Sequence, residues 1–189
     1  MREAWKSAKK SDVSHRERVG RHLGIDGVWE REPGDAARVL VAADGCVDLI
    51  VRERSGARPE IALLPPTVRA GVAAIGRDVR VWGVRAALGR GGALSSRAGV
   101  VLAEARAAIE RGDVVDEVER VVAEVLHERG LPPASVVELL AVARDARGAA
   151  RIADRGFGGR SARTLERACR AWLGYGPKTL LAIARGRAA

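Results

Sequence analysis

The sequence predicts an α+β protein: a small antiparallel, barrel-like β-rich N-terminal domain, then helices, and a C-terminal helix-turn-helix. Three observations lead there. From Ile25 to about Val84 the chain reads as short β-type runs separated by Gly, Pro and Asp, with no helix between them. After Gly91-Gly92 the apolar residues recur at helical spacing to the end of the chain. Positive charge gathers at that end: from Leu131 to Ala189 eleven Lys and Arg stand against four acids, a net +7 within a formal total of +9.

Taken in order, residues 1–24 form a basic N-terminal arm. Residues 1–12 read as flexible, with Trp5 an incidental surface residue, and Ser14–Leu23 as a short helix ending at Gly24. A β-rich domain is expected over 25–93, with strands at Gly27–Arg31, Arg38–Ala42, Cys46–Arg52, Ile61–Leu64 and Val79–Arg85. Asp44-Gly45 is a tight-turn signal between two of them. Pro65-Pro66 ends another, since neither residue can donate to a β-ladder.

Residues 94–130 are read as a helical linker and dimerisation region, with helices at Leu94–Arg111 and Asp113–Arg129 parted by Gly112 and with Asp113 as N-cap. The second helix places Val114, Val118, Val121 and Val125 on one side, widened by Val115, Val122 and Leu126. Such a stripe serves either packing within the monomer or a dimer interface. The four valines of the first row are the candidate interface. Gly130-Leu-Pro-Pro133 then marks the boundary of a third region, 131–189.

The chain has 189 residues, of which 47% are apolar, enough for one or two folded domains. A sequence pI near 10.8 favours an anionic partner. No run of eighteen apolar residues suggests a transmembrane helix, and Met1–Lys10 is basic without the hydrophobic stretch of a signal peptide. A cytoplasmic protein with no membrane partner is expected. Cys46 and Cys169 lie far apart in different contexts and read as two free, buried thiols.

Beyond Pro133, Ala134–Ala146 carries Val136, Val137, Leu139, Leu140 and Val142 as a core helix. Ala149–Arg155 is a short helix ending at Gly156. After the turn Phe157-Gly158-Gly159, Ser161 caps a helix running to Leu173. A short helix, a glycine turn and a three-turn helix fit a helix-turn-helix. Leu165, Ala168, Cys169, Trp172 and Leu173 recur on one side of the last helix, with Arg163, Glu166, Arg167 and Arg170 opposite. A recognition helix needs this division, because an apolar face holds it to its scaffold while long polar side chains enter the major groove of DNA. A solvated amphipathic helix has the same periodicity. The adjoining turn and the basic surroundings favour the DNA reading.

The stretch Ser161-Ala-Arg-Thr-Leu-Glu-Arg-Ala-Cys-Arg-Ala-Trp-Leu-Gly174, followed by Tyr175-Gly-Pro-Lys-Thr-Leu180, resembles the first helix-turn-helix of AraC-type transcription regulators. Ser161, Leu165, Arg167, Gly174, Pro177, Lys178 and Leu180 match that pattern in spacing. Val28-Trp29-Glu30, Asp44-Gly45-Cys46-Val47-Asp48-Leu49-Ile50 and Val81-Trp82-Gly83-Val84-Arg85 resemble the β-rich sensor region of one branch of the same family. The resemblance spans most of residues 25–189. It implies that Arg163, Glu166 and Arg167 hold base-reading positions and that the amides near Ser161 meet a phosphate. Arg160, Thr164, Arg170 and Lys178 complete the candidate DNA-binding set. The chain departs from the family pattern in a longer turn between Ala153 and Ser161. It also ends at Ala189 within the would-be linker helix, so a second helix-turn-helix would come from another copy or a partner.

Other chemistry is not indicated. His15, His22 and His127 are isolated, without zinc-ligand spacing. Asp44 and Asp48 flank Cys46 with no histidine beside them in sequence, so Asp44 is assigned to the turn and Cys46 to the core. Gly89–Gly92 lacks the lysine and hydroxyl of a phosphate loop. The expectation is a homodimeric, sequence-specific regulator binding double-stranded DNA, an activator by family analogy, with RNA polymerase as a further partner. No cofactor, metal or enzymatic activity is expected. Two alternatives stand beside it: a protein-interaction modulator of RNA polymerase or of another regulator, and a DNA-binding accessory factor of a mobile element.

Overall fold

The computed structural model of the chain describes residues 6–7, 15–112, 115–145, 159 and 161–188. Antiparallel strands come first and helices follow, so the α+β class stands. The strands are β1 (Lys6–Ser7), β2 (His15–Val19), β3 (Ile25–Arg31), β4 (Ala37–Val41), β5 (Asp48–Arg54), β6 (Glu60–Leu64), β7 (Gly71–Ile75) and β8 (Val79–Ala86). Six of them form one sheet in the order β1-β2-β3-β8-β5-β6, while β4 and β7 pair separately. No pairing of β1 with β6 closes a barrel among the described residues.

Period-two alternation sorts the sheet into two faces. Trp82, Val84 and Ala86 of β8 join Val28, Leu49 and Val51 beneath the helices. Val79 and Val81 turn to the other side, with Ile50, Trp29 and Ile75. The helices over the first face are α1 (Gly91–Ser96), α2 (Ala98–Glu110) and α3 (Val115–Glu128). Their buried residues Leu94, Val101, Ala105, Val118, Val122 and Leu126 complete the main core. A second core forms among α4 (Ala134–Asp145), α5 (Ala162–Leu173) and α6 (Pro177–Ala188), from Val136, Leu139, Leu165, Cys169, Leu173, Leu180 and Ile183.

Several expectations are corrected. His15–Val19 is a strand rather than part of a helix, in register with β3 from His15 opposite Arg31 to Val19 opposite Gly27. An isolated helix of ten residues is marginal in water, whereas the open edge of β3 offers a full hydrogen-bond ladder. Arg18 of that strand is held by Glu119 of α3 at 2.6 Å. Lys6–Ser7 extends the sheet against β2, so part of the expected arm is structured, while Trp5 lies outside the described residues. Gly71–Ile75 is an additional strand, and the helix expected from Leu94 begins at Gly91 and breaks at Arg97, whose φ of −119° is not helical.

The valine face of α3 is also corrected. Val118, Val121 and Val125 are 0%, 3% and 4% exposed within the single chain. They lack the surface a dimer seam needs, because the sheet and its neighbouring helices already cover them. Val114 and the expected cap Asp113 lie outside the described residues.

Candidate nucleic-acid interface

Helix α5 owes its limits to its end residues. Ser161 has extended backbone, and its Oγ accepts from the Thr164 N–H at 3.3 Å, the expected N-cap. The Thr164 hydroxyl lies 3.0 Å from the same Oγ, so Thr164 serves the cap. At the other end Gly174 takes φ of +84°, a left-handed turn that glycine adopts without strain, and its N–H donates to the Arg170 carbonyl. Pro177 starts α6 after one short corner.

The two sides of α5 separate as its sequence pattern requires. Leu165, Cys169 and Leu173 are buried, and Ala168 and Trp172 are half-buried. Burial pushes the Cys169 thiol up to about 11, with the Glu166 charge adding to the effect. Arg163, Arg167 and Arg170 project into solvent at i, i+4 and i+7. Arg163 and Arg167 make no ion pair among the described residues, so their guanidinium donors are open. Arg170 differs, its Nε donating to Glu166 at 2.8 Å. The Glu166 carboxylate also fills the space beside Gly176, where a Cβ would stand 2.6 Å from its Oε1. Lys178 is exposed on the first turn of α6. Arg160, the expected short helix at 149–155 and most of the glycine turn lie outside the described residues.

Contacts that sequence patterns did not reveal fasten this helix pair to the rest of the molecule. A Cβ on Gly92 would overlap the Ala171 carbonyl oxygen, so only glycine lets α1 come this close to α5. Arg129, at the end of α3, stacks 4.9 Å from the centroid of the Trp172 ring and donates to Ser96 Oγ at 2.6 Å. Tyr175 is buried, and its hydroxyl donates to the Gly45 carbonyl at 3.2 Å. Gly45 belongs to the turn expected at Asp44-Gly45, where Asp44 Oδ1 accepts from the Cys46 N–H at 2.9 Å. Asp44 and Asp48 both pair with Arg85, and burial raises the Asp48 carboxyl above its usual range despite that partner. The two segments that carry the family resemblance therefore touch one another in space. The one available signal was glycine itself, at Gly45, Gly92 and Gly174.

Cys46 and Cys169 are buried, and neither forms a disulfide among the described residues. No helix among the described residues is long and apolar enough to cross a membrane. Comparison of the chain with models of known families, with curated proteins and with solved structures returns no match.

Proposed function

We propose that the chain binds double-stranded DNA, with α5 as a recognition helix in the major groove, as a sequence-specific transcription regulator of AraC type. The observation that carries this reading is the division of α5. Its buried face is fixed at both ends and along its length, and its outer face presents Arg163 and Arg167 with unengaged guanidinium forks. Arginine forks match guanine O6 and N7 in geometry. Within this reading Glu166 orients Arg170, whereas Arg163 and Arg167 read bases. The first backbone N–H groups of α5, beside Ser161, have no partner within the helix and suit a phosphate. Arg170 and Lys178 add positive charge at the other end of α5, around its corner with α6.

A helix-turn-helix completed by 149–160, an activator role and contact with RNA polymerase belong to the same proposal and rest on the resemblance. So does pairing of two copies on DNA, since one recognition helix reads only a few base pairs. The surface for that pairing lies elsewhere than the valine face of α3. The test is duplex binding followed across a salt titration. The logarithm of affinity should fall linearly with the logarithm of salt concentration, with a slope of about −0.9 per phosphate neutralised. Absence of duplex binding, or a flat salt response, would contradict the reading and favour the protein-interaction alternative.

A further inference from the structure

Arg129 follows the last residue of α3, outside the region 131–189, yet its side chain reaches the C-terminal end of α5. Its guanidinium lies 4.9 Å from the centroid of the Trp172 ring. Nη1 donates to Ser96 Oγ at 2.6 Å and Nη2 to the Ala171 carbonyl at 3.3 Å, both at the surface. These bonds use two of the five N–H donors of an arginine, and among the described residues no carboxylate takes the others. The neighbouring acid, Glu128, is engaged by Arg97 at 3.1 Å.

The helix sets where this charge stands. Arg163, Arg167 and Ala171 follow one another at i, i+4 and i+8, so they share a line along α5. Ala171 is exposed on that line, about 6 Å beyond Arg167 at about 1.5 Å per residue. The whole of α5 spans about 18 Å, more than the roughly 12 Å width of a major groove. With Arg163 and Arg167 in the groove, the C-terminal end of the helix comes up to the phosphates that wall it. That end is the negative pole of the helix and by itself repels them. Arg129 binds one of its terminal carbonyls and sets a full positive charge there. Ser96 and Trp172 fix the guanidinium in advance, so little side-chain freedom is lost on binding.

Resting on the DNA-binding reading, we infer that Arg129 binds a DNA phosphate beside the C-terminal end of α5, so that the body of the protein outside 131–189 takes a direct share in the footprint. Arg163 and Arg167 select the sequence, while Arg129 fixes the helix against the backbone. A phosphate contact carries no sequence information, so it strengthens binding to every duplex alike.

The experiment is binding of the full chain to mixed-sequence duplex DNA across a chloride titration, with Arg129→Gln, Arg129→Lys and Glu128→Gln beside the wild type. Arg129→Gln should make the log–log slope shallower by about 0.9 and weaken binding roughly tenfold at about 0.1 M salt. It should still enrich the wild-type motif from a random pool. Arg129→Lys keeps the charge and should keep the wild-type slope. Glu128→Gln alters an exposed residue, should fold normally, and should tighten binding several-fold by removing a negative charge beside the phosphate. That variant keeps the test decisive if Arg129→Gln fails to fold. Weaker binding of Arg129→Gln at an unchanged slope would mean a structural role alone and would overturn the assignment. So would unchanged binding, a changed motif, a lowered slope in Arg129→Lys, or no tightening in Glu128→Gln. A wild-type chain that binds no duplex would remove the DNA-binding reading itself, and this inference with it.

Discussion

Arg18 and Glu119 meet at 2.6 Å with side chains 5% and 0% exposed, while Arg163 and Arg167 stand in solvent with no ion pair among the described residues. The same residue type thus holds β2 to α3 in one place and offers open donors in another. Glu119 also accepts from the Arg21 backbone N–H, so its loss strands that donor and leaves Arg18 with the exposed carboxylate of Asp116. Glu119→Ala should cost about 3–5 kcal/mol, the usual penalty for leaving one member of a buried pair, measured by urea unfolding. An effect below 1 kcal/mol would show that water replaces the partner. Cys169 gives a second test. Its raised thiol pKa, about 11, keeps it protonated at neutral and mildly alkaline pH. The thiolate is the reactive form, so alkylation at pH 8 should be slow in the folded chain and fast in denaturant. Equal rates would show that the α4–α6 core opens readily. The burial of Cys46 and Cys169 and the turn role of Asp44 were legible in the sequence, because each follows from local pattern. The pairing of Arg18 with Glu119 was not, since 101 positions separate them and only the fold brings them together.

At the scale of elements, α5 and α6 are recognisable from Ser161, Gly174 and Pro177 alone, because caps and punctuation are local chemistry. Strand β2 was hidden, since its burial pattern shows no alternation and its single buried residue is Arg18, a charged one. Strand β7 was hidden as well, being short and rich in Gly and Ala with no clear alternation. The α1–α2 break has no Gly or Pro to announce it and falls at Arg97. The corner joining α5 to α6 is likewise tertiary in origin, through Tyr175 on Gly45. Gly45 has φ of +69°, and a Cβ there would overlap the Tyr175 hydroxyl. Gly45→Ala should therefore destabilise by more than the strain of its backbone alone. Tyr175→Phe should recover part of that loss in the double variant, with a coupling of about 0.5 kcal/mol or more in a mutant cycle. Strict additivity would contradict the contact.

Across the whole molecule, the β-sheet core and the α4–α6 core meet through Gly92, Arg129 and Tyr175 rather than through a loose linker. Tryptophan fluorescence and far-ultraviolet circular dichroism should accordingly trace one coincident urea transition. Two separated transitions would mean that the cores unfold independently. This docking fixes the scaffold on which α5 sits, and it leaves the arginine face outward. Both the net positive charge and the amphipathic pattern of α5 could be read from the chain, whereas the attachment of that helix to the Asp44–Cys46 turn could not. The central claim is that Arg163 and Arg167 read bases, and selection of bound duplexes from a random pool tests it most directly. The wild-type chain should enrich a defined motif, and Arg163→Ala and Arg167→Ala should each fold normally while losing discrimination of about 1–3 kcal/mol at one position of it. A wild-type chain that enriches no motif, or variants that keep the wild-type motif at full strength, would contradict the account.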